Sequence, residues 1–281
     1  MRQQTFVNGK PTLYLVATPV GNLGEFTPRA IETLKSVSVI GCEDTRTSKI
    51  LLNHFDISTP VLSYHKFNER ESVEKFLGIM SEGKDIALIS DAGYPLVSDP
   101  GSVLVNEVIK AGFNVTTISG ASAFLNALVA SGFSLTRFTF VGFLDSKSSA
   151  RKKELEGLKN NKETLIFYES PHRIKEFLTD LLKVFGDRNI VLARELTKKF
   201  EEYVRGSVSE VLEVADSLKG EMVVIVEGNN KIIENVGENE LICQISELTK
   251  QGKTSKEIVS ILTDKYNIKK NYVYDLVCKN K

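Results

Sequence analysis

Cysteine is scarce in this 281-residue chain: Cys42, Cys243 and Cys278 are its three, far apart and with no CxxC spacing. That argues against a zinc site and against a disulfide framework, and it fits a reducing compartment. Net charge is also missing, because 36 Lys and Arg balance 36 Asp and Glu. Overall charge therefore announces no nucleic-acid binder, and any basic surface must be local. No apolar run approaches the ~20 residues of a membrane span. The opening MRQQTFVNGKPTLYLVATPVG has no secretory apolar core, so a soluble cytoplasmic protein is expected. Two phosphate-binding signatures are absent as well. No lysine completes a GxxxxGK[ST] loop, and GNLGEF has the wrong spacing for GxGxxG.

The 42% hydrophobic content suffices for a sizeable core, and the length suits about two domains. In the first half, strand-like segments at 12–17, 37–41, 85–89 and 114–118 alternate with helical periodicity at 28–35, 45–55, 69–82, 102–111 and 121–131. Such alternation indicates an α/β fold, a mainly parallel sheet with helices on both faces. The texture turns polar near residue 143, a candidate boundary. Further strands follow at 164–168, 189–193, 200–205 and 222–226, with helices at 172–184 and 209–219 and antiparallel pairing around FEEYVRGSV. After a polar linker at 229–240, the lysine-bearing tail reads as two short helices split near Asn267, with Thr254 or Ser255 capping the first and Glu257 completing the cap. The organisation expected is an N-terminal α/β domain over 1–119, a second over 120–230 and a small helical domain over 231–281.

Four stretches of the first half and three of the second carry chemistry. In LYLVATPVGNLGEFTPRA (13–30), Pro19 and Gly21 turn the chain sharply and Thr27 caps a helix that begins with Pro28; an ordinary turn and a ligand-binding turn both fit. In ALISDAGYPLVSDPG (87–101), Asp91 ends a parallel strand at the ligand-binding edge, where its carboxylate can accept from an amine or hydroxyl. Gly93 allows close backbone approach, and Asp99 reads as a turn or cap residue. ISGASA (118–123) is a third small-residue turn, with Gly120 and Ser122 opening a helix. Three such turns at one sheet edge make a single cleft. VIGCEDTRTS (39–48) crowds Glu43, Asp44 and Arg46 into either an ion-pair network or a substrate site. Later strands end in Tyr168, Glu169, His172 and Arg173, and in Arg194, Glu195 and Lys198. Gly220, Glu221 and Met222 open the final strand.

Together these stretches resemble the tetrapyrrole methylase superfamily, and within it the members that methylate the ribose 2′-hydroxyl of a cytidine in small-subunit (16S) ribosomal RNA. VATPVGNLGEFTPRA, CEDTRTSKILL, SDAGYPLVSDPG, FYESPHRI, ARELTKKFEE and GEMVVIVEG carry the likeness, in the family's order, over roughly residues 11–228. One departure is Ser119-Gly120-Ala121, where relatives often have Pro-Gly-Pro. The resemblance implies two α/β domains with an S-adenosylmethionine cleft between them, a small C-terminal helical domain, a homodimer and no metal. It implies cofactor contacts from Pro19, Asp91, Ala92, Gly93, Val97, Ser122 and Tyr168, joined by Leu196, Gly220, Glu221 and Met222. A base for the hydroxyl proton would come from Glu43, Asp44, His65, Glu69, Glu169 or Glu195, and Glu43 is preferred, with Arg46 as its orienter. The small-subunit RNA of the 30S particle would meet Arg46, Arg151, Lys152, Arg173 and Lys198, with Lys147, Lys153, Lys199 and the tail lysines as further cations. Methylation of a tetrapyrrole precursor, which has no use for a lysine-bearing tail, and a non-catalytic RNA-binding or ribosome-assembly module are the alternatives.

Overall fold

Near-continuous apolar runs in the first strands dictate a sheet buried on both sides. In the computed structural model, which describes residues 2–65, 69–229, 237–266, 268 and 270–280, β1 (Thr12–Val16), β2 (Val39–Cys42), β3 (Val61–Ser63), β4 (Ile86–Ile89) and β5 (Asn114–Ile118) form a parallel sheet of order β3-β2-β4-β1-β5. The connecting helices are α1 (Pro28–Ser36), α2 (Thr45–His54), α3 (Glu69–Ser81) and α4 (Ser102–Lys110). Val16, Ile40, Ala87, Ile89 and Ile118 face Leu34 of α1 and Leu52 of α2. Their chain neighbours Leu13, Leu15, Val39, Ile86 and Leu88 face Phe76 and Met80 of α3 and Leu104 and Val108 of α4. Burying both faces is what an all-parallel sheet requires, and each large apolar side chain so buried contributes about 1.5–3 kcal/mol.

α5 (Ala123–Ser131) leads into a second sheet made of β6 (Phe138–Gly142), β7 (Thr164–Glu169), β8 (Asn189–Arg194), β9 (Glu202–Ser207) and β10 (Met222–Val226), in the order β6-β7-β10-β8-β9. β6 and β7 are parallel and the other pairs antiparallel, so the antiparallel pairing expected around FEEYVRGSV is present. α6 (Ser148–Leu158), α7 (Ile174–Phe185) and α8 (Val208–Val214) cover one face through Leu155, Phe177, Leu181 and Val211. Ala127 and Leu128 of α5 cover the other. Both sheets lie in one compact unit ending at Asn229.

Three elements of this unit were not expected. β3 has only three residues. β6 is half-exposed, and its register shifts between Phe140 and Gly142. α6 occupies the polar stretch after residue 143, which therefore falls inside the second sheet's run of elements; the inward face of α6 buries Arg151 beside Leu155.

The C-terminal unit packs α9 (Glu238–Lys250), α10 (Ser255–Tyr266) and α11 (Lys270–Lys279) around Ile245, Ile258, Leu262, Val273 and Val277. α10 and α11 are the two expected helices; Asn267 and the boundary expected at 230 lie outside the described residues. Thr254 caps α10: its N–H donates to the Glu257 carboxylate (2.7 Å), and the Glu257 N–H donates to Thr254 Oγ1 (3.3 Å). Among the described residues, no helix is long and apolar enough to cross a membrane.

Candidate active site

Because β4, β1 and β5 are adjacent and parallel, the turns that follow them emerge at one edge. The backbones of Thr18 and Gly93 exchange two hydrogen bonds of 2.9 and 3.0 Å. Thr18 Oγ1 donates to the Ser90 carbonyl (3.0 Å), and the Gly120 N–H donates to the Tyr94 hydroxyl (3.2 Å). The first turn is closed locally: Asn22 Oδ1 accepts from the Gly24 N–H at 3.0 Å, and Thr27 Oγ1 accepts from Ala30 at 3.2 Å, with Pro28 opening α1 as expected. Gly120 is required by space, since a Cβ there would lie 2.9 Å from the Ala17 Cβ. That requirement survives in the Ser-Gly-Ala variant of the turn. At Gly21 a Cβ would lie 2.6 Å from Lys198 Cγ, so this glycine lets Lys198 cross the turn from the second sheet.

Between this edge and the second sheet lies a cavity of about 300 Å³. Its apolar walls come from Val20, Val97, Phe143, Tyr168, Leu196 and Met222, and among the described residues that line it five carboxylates (Asp91, Asp99, Glu169, Glu195 and Glu221) stand with one cation, Lys198. Lys198 Nζ pairs with Glu195 at 3.0 Å. Glu169 is buried; it accepts from the Ser170 N–H (2.8 Å) and pairs with Arg173 (3.3 Å), yet burial outweighs these partners and raises its carboxyl. Burial and the nearby Asp44 raise Asp91. Burial, then Glu43 and Asp91, push Asp99 up to about 6. Burial also drives the Tyr168 hydroxyl up to about 12.

The backbone beside the cavity is strained. Five non-glycine residues among those described adopt positive φ, and four of them, Leu96 (73°), Ser98 (68°), Glu195 (49°) and Thr197 (67°), stand in the two segments that wall it. Each costs on the order of 1 kcal/mol or more, and such strain concentrates at ligand sites.

Of the expected residues, Asp91, Ala92, Gly93, Val97, Ser122, Tyr168, Lys198, Leu196, Glu221 and Met222 line the cavity. Pro19 and Gly220 are each the chain neighbour of a lining residue, Val20 and Glu221. Gly220 has positive φ (82°), and a side chain there would collide with the Glu195 carboxylate.

Other expectations are corrected. Arg151 is fully buried, with Nε donating to Asp180 at 2.9 Å and the guanidinium paired with the same carboxylate at 2.8 Å, so it presents no surface to RNA. Lys152 joins that cluster at 3.3 Å from Asp180. Arg173 donates to the Leu144 carbonyl (2.8 Å) and pairs with Glu169, bracing the segment that carries Phe143. Arg46 orients Asp44 rather than Glu43: its guanidinium lies 2.8 Å from the Asp44 carboxylate, whose pKa falls to about 2 through that hydrogen bond and one from the Arg46 backbone. Asp44 caps α2, and Glu43 is exposed outside the cavity lining. Tyr64 occupies Glu69 at 3.1 Å. Asp99 is no cap, because the residue before α4 is Gly101 and no side chain caps that helix. Val20, Tyr94, Ser98, Ala123, Phe143, Ser170 and Val223 were missed as lining residues. All but Phe143 stood within the singled-out motifs, a signal that adjacency alone could have supplied.

Residues 12–212 match the sequence profile of the Tetrapyrrole (Corrin/Porphyrin) Methylases, from β1 into α8. The chain belongs to the tetrapyrrole methylase family. Within it, a protein of Bacillus subtilis named ribosomal RNA small subunit methyltransferase I is 45% identical over 98% of both chains. Proteins of the same name from Halalkalibacterium halodurans (49% identical over 80% of this chain and 78% of the relative) and Haemophilus influenzae (44%, over 93% and 94%) are similarly related. Two solved structures share the tetrapyrrole methylase fold at low identity. Uroporphyrin-III-C-methyltransferase from Thermus thermophilus superposes with TM-score 0.56 at 17% identity, covering 78% of this chain and 94% of that one. A cobalt-precorrin-4 methyltransferase gives 0.54 at 16%, covering 77% and 94%.

Proposed function

We propose that this chain is an S-adenosylmethionine-dependent methyltransferase that methylates the ribose 2′-hydroxyl of a cytidine in 16S ribosomal RNA. The observation that carries the choice of ligand is the charge of the cavity, five carboxylates against one lysine. A phosphate would be repelled there, whereas a ligand bearing an ammonium and a sulfonium is attracted. The apolar walls suit a flat heterocycle, and carboxylates suit its hydroxyl and amine donors. Asp91, Ala92, Gly93, Val97 and Ser122 would hold the methyl donor from the first sheet. Tyr168, Leu196, Gly220, Glu221 and Met222 would hold it from the second, with Pro19 shaping the turn behind. The donor, when bound, supplies an electrophilic methyl group on a positively charged sulfur. The chain itself holds that group and the ribose at near-attack distance, which contributes about 7–11 kcal/mol, and it excludes water with Phe143, Tyr168 and Leu196.

The names of the relatives support ribosomal RNA as the substrate. Lys198 at the cavity and the guanidinium of Arg46, with 90% of its side chain exposed, would meet it in the cytoplasm, in the 30S particle, with exposed Lys147, Lys153 and Lys199 as further cations. Exposed Leu125 and Val129, one turn apart on α5, suit contact with a second copy in a homodimer. Titration calorimetry with S-adenosylmethionine tests the ligand, and absence of binding would sink the enzyme reading. Mapping 2′-O-methyl groups on small-subunit RNA from cells with and without the chain tests the substrate. An unchanged map would remove RNA methylation.

A further inference from the structure

The five cavity carboxylates differ in what holds them. Glu169 and Glu195 are ion-paired with Arg173 and Lys198. Asp91 accepts a hydrogen bond from the backbone N–H of Asp44, and Glu221 is exposed. Asp99 alone is partly buried with neither a hydrogen-bond donor nor a cation on its carboxylate among the described residues. A carboxylate kept from water with no partner costs stability, and here costly backbone holds it in place. Leu96 and Ser98 adopt left-handed conformations two residues apart. Gly101 turns the chain at φ 142°, where a Cβ would lie 2.8 Å from Leu96 Cδ1. The second sheet braces the same loop, since a Cβ on Gly142 would lie 3.1 Å from Ser98 Oγ. This loop turns Asp99 into the cavity, across from Tyr168.

Resting on the methyltransferase reading above, we infer that Asp99 is the general base that takes the proton from the ribose hydroxyl. As the hydroxyl oxygen forms its bond to the methyl carbon, its proton passes to the Asp99 carboxylate. The carbon–sulfur bond breaks with its electron pair left on sulfur as a neutral thioether, and the proton leaves Asp99 for solvent through the open side of the cavity. Glu43, exposed and outside the lining, does not have this position.

Burial, Glu43 at the end of β2 and Asp91 on its own loop all raise Asp99. Asp44 stands beside Asp91; Tyr94, Tyr168, Glu169, Glu195, Lys198 and Glu221 line the same cavity, with Lys198 held in an ion pair by Glu195. Burial and this negative surrounding hold the carboxyl near 6. It is then ionised at neutral pH yet more basic than an ordinary carboxylate, as a general base should be.

The test compares the full-length chain with Asp99→Asn, using S-adenosylmethionine and small subunits from cells lacking the chain. The variant should bind S-adenosylmethionine within about threefold of the parent by calorimetry, while kcat falls about 10²–10⁴-fold and KM for the subunit changes little. The parent's kcat should fall tenfold per pH unit below about 6. Asp99→Glu should recover part of the loss. A carboxyl ¹³C resonance titrating near 6 and missing from the variant would report Asp99 without any turnover. A variant that keeps kcat within tenfold, or one that loses S-adenosylmethionine binding in step with activity, overturns the assignment. A parent that binds no S-adenosylmethionine overturns the methyltransferase reading as well, a failure seen in the parent rather than only in the variant.

Discussion

Asp180 and Asp99 are both withdrawn from solvent, one on α7 behind the second sheet and one in the cavity, and their surroundings are opposite. Asp180 is 4% exposed, and everything around it is complementary: Ser148 donates at 2.9 Å, Arg151 pairs at 2.8 Å and Lys152 at 3.3 Å. Burial alone would raise its carboxyl, but these three donors more than offset that, and it is held below the ordinary range. Asp99 has no donor or cation on its carboxylate among the described residues, and burial with the nearby Glu43 and Asp91 pushes it up to about 6. A buried charge surrounded by partners locks two helices together; one left among like charges is retained against stability.

The contrast is broken most severely at Arg151. Arg151→Ala leaves the buried Asp180 facing only Ser148 and Lys152, and should cost about 3–5 kcal/mol in urea unfolding of the full chain. Replacing both charges, Arg151→Met with Asp180→Leu, should recover most of that loss, since no uncompensated charge remains. A double variant as unstable as Arg151→Ala would show that packing rather than charge carries the site. Next in size is Asp91→Ala. Removing a charge-assisted hydrogen bond to the ligand costs about 1.5–3 kcal/mol, so S-adenosylmethionine affinity should drop roughly 10–100-fold with circular dichroism unchanged. Unaltered affinity would mean that the ligand avoids this end of the cavity.

What was legible beforehand follows the same division. Residues whose role depends on local chemistry could be read directly: Thr27 with Pro28 at the start of α1, Thr254 with Glu257 at α10, and Asp91 and Gly93 beyond β4. The parallel sheet was legible because its apolar residues alternate without interruption between two faces. α6 was not, because an arginine stands where the helical pattern calls for an apolar residue, and only the distant Asp180 makes its burial tolerable. Arg151 was taken for a surface cation for that reason. Asp99, expected as a turn or cap residue, stands in a turn but caps nothing; its place at the cavity depends on Leu96 adopting a left-handed backbone, which no local preference of leucine favours. Phe143 escaped notice because its place at the cavity depends on Arg173 holding the carbonyl of Leu144, a contact 29 residues along the chain.

The smallest effect is also the most direct measure of the contrast, because one substitution should have opposite signs at the two sites. The Asp99 carboxyl is raised in the folded chain, so its contribution to stability is fully present below about pH 4 and is lost as pH rises through about 6, where it must ionise beside Glu43 and Asp91. Asp99→Asn escapes that ionisation. It should match the parent near pH 4 and exceed it at pH 8. The full displacement corresponds to about 3 kcal/mol, which solvent at the open cavity screens to about 1 kcal/mol, read as a melting temperature higher by roughly 2–4 °C. Asp180 is lowered, so its contribution is present at neutral pH and is lost as pH falls through the carboxylate range. Asp180→Asn should therefore melt below the parent at pH 8, with the deficit shrinking as the solution is acidified. Melting curves of the two variants across this range should cross the parent's behaviour from opposite sides. If Asp99→Asn instead destabilises at pH 8 as Asp180→Asn does, the Asp99 carboxylate has a partner in solution and its place among the unpaired groups is lost.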